Sequence, residues 1–444
     1  MTSQKHLKAR IRARMARTGE RYATARRHEL GSAEPSSRDL GWTLRGGVHP
    51  DSANIANILA NADGALSVGS ADGELSAGLS EAMVLGIGGG LGAGYILWEF
   101  TAHHNSKHRY AKHLVLGYRY RWNYHVESTV RTLDRLGVPY RISATSGQVG
   151  AATALTSALD AGRPAIVWPD RYPIGYWHLP EHLDGHGGHP VVVYATVDGG
   201  ARVDDRNLAP LTVERTALDR ARARVSSYKN QLVVVDATSW RPPDLTKVLR
   251  AGIADCVGHL GGDSTSFAVP AWRKWARLLT DTRNAKGWPR VFADGSGLVG
   301  ALVSIWEGIE PVGMSGGHLR DLYAEFLDEA APLLPGSGDA LGRAATAFRG
   351  SARRWRELAE AALPADVPEY ARMRELTAEV AAGVADGDGG AAAGADAAAH
   401  LWELRTRYDR RPPVEPDLAA LAQRVGAVHE AERDAVETLR TAVA

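Results

Sequence analysis

Twelve residues of this chain hold four histidines, His178, His182, His186 and His189, with Glu181 and Asp184 between them. Imidazoles and carboxylates at that density can hold a transition metal. Pro180, Gly185, Gly187 and Gly188 make the segment a loop, where spacing alone does not converge ligands, so no metal and no other cofactor is expected. His189 has a second use. It opens the apolar run Pro190–Thr196, which is followed across the turn Asp198-Gly199-Gly200 by Ala201–Asp204 and then Asp205-Arg206-Asn207. An imidazole at a strand start with a carboxylate on the partner strand can act as a general base, the carboxylate fixing its tautomer and stabilising the imidazolium. Such a pair gains meaning beside a nucleophile at a helix N-terminus, where the dipole activates it. The candidate helix start is His49-Pro50-Asp51-Ser52, ahead of the helically spaced apolar residues of Ala53–Leu59. Proline suits a first turn, and Asp51 or Ser52 can hold the free N–H groups there. The single cysteine, Cys256, sits in a helix-like setting and reads as a small buried hydrophobe. It rules out an intramolecular disulfide and a cysteine-rich zinc site.

The glycine run Gly86–Gly94 invites a phosphate-binding reading, but no lysine follows it and the strict G-x-G-x-x-G spacing fails in every register. Only the relaxed form Gly88, Gly90 and Ala93 fits. Close backbone packing, or a backbone wall beside a substrate at Gly89 and Gly90, explains it better.

The elements that must position these groups follow from periodicity. Helical spacing covers Leu79–Leu85, residues near 126–136 and 150–161, and most of 245–370, including Ala271–Thr280, Leu298–Trp306, Leu319–Leu327 and Gly342–Ala361. Strands are expected at Pro164–Trp168, Pro190–Thr196, Ala201–Asp204 and Gln231–Asp236. The fold class is therefore α/β (α+β), followed by a mainly helical domain. Boundaries are expected at 1–38 for a basic amphipathic arm, 39–242 for the mixed domain, 243–370 for the helical one and 371–444 for a helical extension. That extension contains a flexible Ala/Gly/Asp-rich loop near 386–399 and a last helix over Asp417–Ala444. The arm carries nine basic against two acidic residues within 1–30. It suits nucleic acid, an anionic surface or an acidic partner, or packing as a solvated helix on the body or on a sister subunit, the last pair being preferred for want of aromatic platforms. A formal net charge of +1 over 444 residues gives no global pull toward nucleic acid or membrane. No apolar run spans a bilayer and no signal peptide is evident, so a cytoplasmic homo-oligomer is expected.

These features in this order resemble the butirosin biosynthesis protein H N-terminal family, a branch of the papain-like cysteine peptidase and acyltransferase superfamily. The resemblance lies in His49-Pro50, in Leu79-Ser80-Glu81-Ala82-Met83 continuing through the glycine run to Tyr95, in His189-Pro190-Val191-Val192-Val193, and in Val203-Asp204-Asp205. Gly316-Gly317-His318-Leu319-Arg320-Asp321-Leu322-Tyr323, with Trp288 and Trp355, is similar to the uncharacterised domain that often follows. The resemblance implies a papain-like fold and transfer of an acyl group from a carrier-protein thioester, or a small-molecule donor, to an amine. His189 then matches the general base, Asp205 the orienting acid, and His49, Asp51, Gly89, Gly90, Tyr95, Trp177 and His186 fall at substrate-binding positions. The family's nucleophilic cysteine falls on Pro50, which has neither a nucleophile nor an N–H. Three readings follow: an acyl- or amide-processing enzyme acting through Ser52, the same chemistry without a covalent intermediate, or a pseudoenzyme scaffold. A histidine-cluster metalloprotein is a further alternative.

Overall fold

A computed structural model describes residues 37–62, 68–70, 73–75, 79–99, 112–117, 126–185, 187–238, 240–310 and 318–443. The basic arm, His186 and Gly316-Gly317 lie outside the described residues. The fold is α+β. A six-stranded antiparallel sheet is built from β1 (Tyr140–Ser143), β2 (Ala165–Val167), β3 (Val191–Val197), β4 (Gly200–Asp204), β5 (Leu211–Glu214) and β6 (Leu232–Val235). Its spatial order is β5-β4-β3-β2-β6-β1. The β3–β4 hairpin turns at Asp198-Gly199 and sets Val192 opposite Asp204. That register brings the end of β4 back beside the start of β3, where His189 lies.

The central strands β2 and β6 and the first half of β3 are buried on both faces, which explains their unbroken apolar runs. Side chains alternate across a strand. Val191 and Val193 enter one core with Ala201, Val203 and Leu218. Val192 enters the other with Ile166 and Val233. The first face lies under α4 (Gln148–Asp160) and α5 (Arg215–Arg224). The second face shares its core with α1 (Pro50–Ala60), α2 (Glu81–Ile87) and α3 (Glu127–Leu136), and with the helices that follow. Those are α6 (Leu245–Leu260), α7 (Pro270–Thr280), α8 (Leu298–Glu307), α9 (His318–Ala330), α10 (Gly338–Ala362), α11 (Pro368–Ala385), α12 (Ala391–Arg407) and α13 (Leu418–Val443). One apolar core runs from Trp42 to Ala442 across both halves.

The expected flexible loop near 386–399 is corrected: residues 387–390 form a 3-10 turn and 391–407 are helical. Alanine is the best helix former, and here it prevails. The glycines serve close helix packing, since a Cβ on Gly390 would lie 2.2 Å from the Gly383 carbonyl oxygen. A polar hub ties α13 into the helical half. Buried Glu432 accepts hydrogen bonds from the Trp272 and Trp355 indoles at 2.8 and 2.6 Å and from Arg320 at 2.6 and 3.0 Å. Among the described residues no helix is long and apolar enough to cross a membrane.

Candidate functional site

His189 stands just ahead of β3, its backbone N–H held by the Pro169 carbonyl at 2.9 Å. Its ring is buried, and Nε2 lies 2.8 Å from Asp205 Oδ1, one residue past the end of β4. Asp205 is 2% exposed and accepts four further hydrogen bonds. Tyr176 Oη and Trp177 Nε1 donate at 3.0 Å each, and Arg206 donates from Nε at 3.2 Å and Nη2 at 3.0 Å. Burial alone would raise the Asp205 carboxyl, but the charges of His189 and Arg206 and their hydrogen bonds hold it well below the usual carboxylate range. Burial lowers His189, with Asp205 opposing it. The pair at neutral pH is thus a carboxylate and a neutral imidazole. A carboxylate is acceptor-only, so Nε2 carries the proton and Nδ1 presents its lone pair. No described group hydrogen-bonds Nδ1. Trp177 packs edge-on against the His189 ring with centroids 5.9 Å apart, and the Arg171 guanidinium lies 5.7 Å from the Trp177 ring centroid.

Arg206 joins this pair to the start of α1. While its Nε and Nη2 hold Asp205, its Nη1 donates to the Val48 carbonyl at 3.1 Å. Arg206 has φ +60, a left-handed conformation that non-glycine residues adopt rarely. Gly47 makes the approach possible: a Cβ there would meet the Ala53 Cβ at 2.4 Å and Arg206 Cγ at 3.1 Å. Asn57, two turns into α1, donates to the Gly46 carbonyl at 3.1 Å and to Asp204 at 3.2 Å. Trp42 Nε1 also donates to Asp204, at 2.9 Å. Burial pushes this carboxyl up to about 6, opposed by the hydrogen bonds from the Trp42 indole and from the Asn207 and Arg206 backbone N–H groups.

The first turn of α1 is occupied by a carboxylate from its neighbour. Glu81, first residue of α2, accepts from Val48 N–H at 2.8 Å, His49 N–H at 2.7 Å and Ser52 Oγ at 3.1 Å. A carboxylate at a helix N-terminus is favourable for both the orphan N–H groups and the dipole. Ser52 is buried, and its second partner is the His49 carbonyl at 3.3 Å. Both partners turn the hydroxyl into the helix start, and neither is His189. Pro50 is the first residue of α1 and buried, His49 is its buried N-cap in extended backbone, and Asp51 is half-buried in the first turn.

Several expected site residues belong elsewhere. Gly89 and Gly90 do not form a substrate wall. A Cβ on Gly89 would meet Asp255 Oδ2 at 2.5 Å, and one on Gly90 would meet the Tyr323 ring at 2.5 Å and Cys256 Sγ at 2.8 Å. Both have left-handed φ, and they let the glycine run press against α6 and α9. Tyr95 is core: it stacks on Trp275 at 5.3 Å and accepts from Trp288 Nε1 at 2.9 Å. The histidines disperse. His178 packs on Gly394 of α12, His182 meets Trp402 edge-on at 5.4 Å, and His189 serves Asp205. Among the described residues no group of three or more histidine, cysteine or carboxylate side chains could hold a metal ion. Cys256 is buried in α6, its Sγ accepting from Leu91 N–H at 3.4 Å. The sequence reading missed Glu81, Arg206 and Tyr176. Glu81 and Arg206 lie inside the motifs Leu79–Met83 and Asp205-Arg206-Asn207, but a charged side chain within a motif does not reveal which backbone it reaches.

Residues 49–206 match the family model described as butirosin biosynthesis protein H, N-terminal, and residues 216–386 match a domain of unknown function, DUF4872. Residues 49–206 belong to the butirosin biosynthesis protein H N-terminal family. This family is papain-like, and the His189–Asp205 pair, joined through Arg206 to the residues just before α1, accords with that architecture. No curated protein matches the chain. The butirosin-type segment begins one residue before Pro50 and ends one residue after Asp205, so His49, Pro50, Ser52, Glu81, His189, Asp205 and Arg206 lie within it, while Trp42, Gly46, Gly47 and Val48 precede it.

Proposed function

We propose that the protein moves an acyl group from a thioester donor to an amine in a single displacement, with His189 as general base and no acyl-enzyme. The observation that carries this reading is the buried His189–Asp205 pair, joined at 2.8 Å through Nε2, which leaves Nδ1 as the acceptor. Family membership supports an acyltransferase-like chemistry, while Pro50 removes the family's nucleophile. Ser52 is no replacement, because its hydroxyl is committed to Glu81 and to the His49 carbonyl. Proximity and proton removal can carry such a step alone. The amine nitrogen attacks the thioester carbonyl, the C–N bond forms and the C–S bond breaks. The amine proton passes to His189 Nδ1 and on to the leaving thiolate. Asp205 stabilises the intervening imidazolium, and Arg206 keeps Asp205 ionised.

Initial rates with paired thioester and amine substrates test this. Direct displacement requires intersecting double-reciprocal lines, and His189→Gln should lower kcat by about 10²–10⁴. Parallel lines, the pattern of an acyl-enzyme, would overturn it. One observation favours a second reading, a binding protein on the same fold. Glu81 already takes the Val48 and His49 N–H groups at the helix start, and Pro50 supplies none, which weakens any oxyanion hole there. Saturable thioester binding with no turnover in the presence of amines would select it.

A further inference from the structure

We propose that Asn207 is the positioning residue of the His189–Asp205 pair and that the end of α11 and the turn after it, Val384–Asp388, hold Asn207 in place. The inference rests on the reading of that pair as the working groups, and extends it to the part of the chain matched by the domain of unknown function.

Asp205 lies just beyond the last ladder residue of β4, so the sheet does not fix its backbone. Asn207 does. It is fully buried, its Oδ1 accepts the Asp205 backbone N–H at 2.7 Å, and its own N–H donates to Asp204 Oδ1 at 3.3 Å. Its carbonyl accepts the Gly46 N–H at 3.0 Å, in the loop that leads into α1. Its Nδ2 donates to the Val384 carbonyl, in the last turn of α11. One side chain and its peptide therefore touch the backbone of the orienting acid, the loop before Pro50, and a helix of the other half.

A local Asx turn explains the bonds to Asp204 and Asp205, since Asn favours such turns. It does not explain burying the amide against a carbonyl 177 residues away. The partner's chemistry does. The last carbonyls of a helix lack intrahelical donors, and the turn that carries Asp205 supplies them: Asn207 Nδ2 to Val384, and Leu208 N–H to Ala385 at 2.7 Å. The strap continues outward. Asp388 N–H donates to the Pro210 carbonyl at 2.8 Å, and its carboxylate accepts Thr212 N–H at 2.6 Å and Thr212 Oγ1 at 2.7 Å and pairs with Arg202 at 3.1 Å. Gly387, at φ +59, allows this close approach, because a Cβ there would sit 2.1 Å from the Pro210 carbonyl oxygen. The segment Asp205–Thr212 is thus pinned along its length by α11 and the turn after it. Releasing the inner pin frees the Asp205 backbone, and with it the hydrogen bond that decides which ring nitrogen of His189 is protonated.

The test is NMR of the full-length protein with labelled histidine, using His189→Ala to assign the signal. The wild type should show a hydrogen-bonded, downfield Nε2 proton and the two well-separated ring-nitrogen shifts of a single tautomer. In Asn207→Ala the downfield proton should be lost and the two nitrogen shifts should converge, with the remaining histidines unmoved. Asp388→Ala, at the exposed outer end of the strap, should give the same change to a smaller extent. A folded Asn207→Ala with a wild-type His189 signal overturns the proposal. If Asn207→Ala does not fold, a wild-type His189 signal in Asp388→Ala overturns it. The readout needs no turnover, so absence of acyl transfer alongside the tautomer change counts against the proposed chemistry and not against Asn207.

Discussion

Replacing Asp205 by asparagine tests whether this carboxylate is the electrostatic centre of the site. Asp205 accepts from His189, Tyr176, Trp177 and twice from Arg206 while 2% exposed. Asparagine keeps one acceptor oxygen, turns the other position into a donor that faces donors, and leaves the Arg206 guanidinium without its buried counter-ion. Breaking a buried pair by removing one partner costs about 3–5 kcal/mol. The pH dependence has a definite sign. The folded Asp205 carboxyl titrates below its unfolded value, so its contribution is complete above about pH 4 and lost as pH falls below it. His189 is also lowered, so its preference for the neutral ring is present above about pH 6.5 and lost on acidification. Asp204 runs the other way. Raised to about 6, it opposes folding at neutral pH by roughly 3 kcal/mol and relaxes as pH falls toward 4. His189 and Asp204 therefore act in opposite directions as pH falls below about 6, and the Asp205 contribution is lost below about pH 4. Urea unfolding of wild type and Asp205→Asn across this range should show a gap of about 3–5 kcal/mol at neutral pH that narrows below about pH 4. A gap under about 1 kcal/mol, or one that persists unchanged in acid, would refute the reasoning.

Pro50→Cys places a thiol at the first position of α1, where the helix dipole favours the thiolate, so on the proposed reading a thioester donor should leave an acyl mass on this variant and none on wild type. Gly252→Ala would push a Cβ to 2.3 Å from the Gly86 carbonyl oxygen where α6 crosses α2, and calorimetry should register a loss of about 1–3 kcal/mol or more. Glu432→Gln strips the buried Arg320 of its counter-ion and should cost about 3–5 kcal/mol by chemical denaturation, showing that α13 is integral to the helical half.

Much of this arrangement was legible in the sequence because it is local. The strand at Val191–Val197, the hairpin to Asp204, the helix from Pro50 and the helices from 245 to 362 all follow from short-range periodicity and turn residues. That His189 meets the carboxylates at the end of β4 was legible because a two-residue hairpin turn fixes which strand ends meet, and the family resemblance singled out Asp205 over Asp204. What escaped is long-range. Gly89 and Gly90 look alike as a substrate wall or as helix packing until Asp255 and Tyr323, far along the chain, are seen against them. The Ala/Gly/Asp stretch after 386 reads as flexible because its glycines carry no sign that they face one another across two helices. Ser52 could be placed in a first turn, but its bond to Glu81 depends on how α2 packs against α1.

The central claim is transfer without a covalent intermediate, and intact-protein mass spectrometry during turnover tests it most directly. With thioester and amine present, wild type and Ser52→Ala should both form amide product at comparable rates with no added mass on the protein, and His189→Ala should form little. An acyl adduct on wild type that disappears in Ser52→Ala would contradict the account.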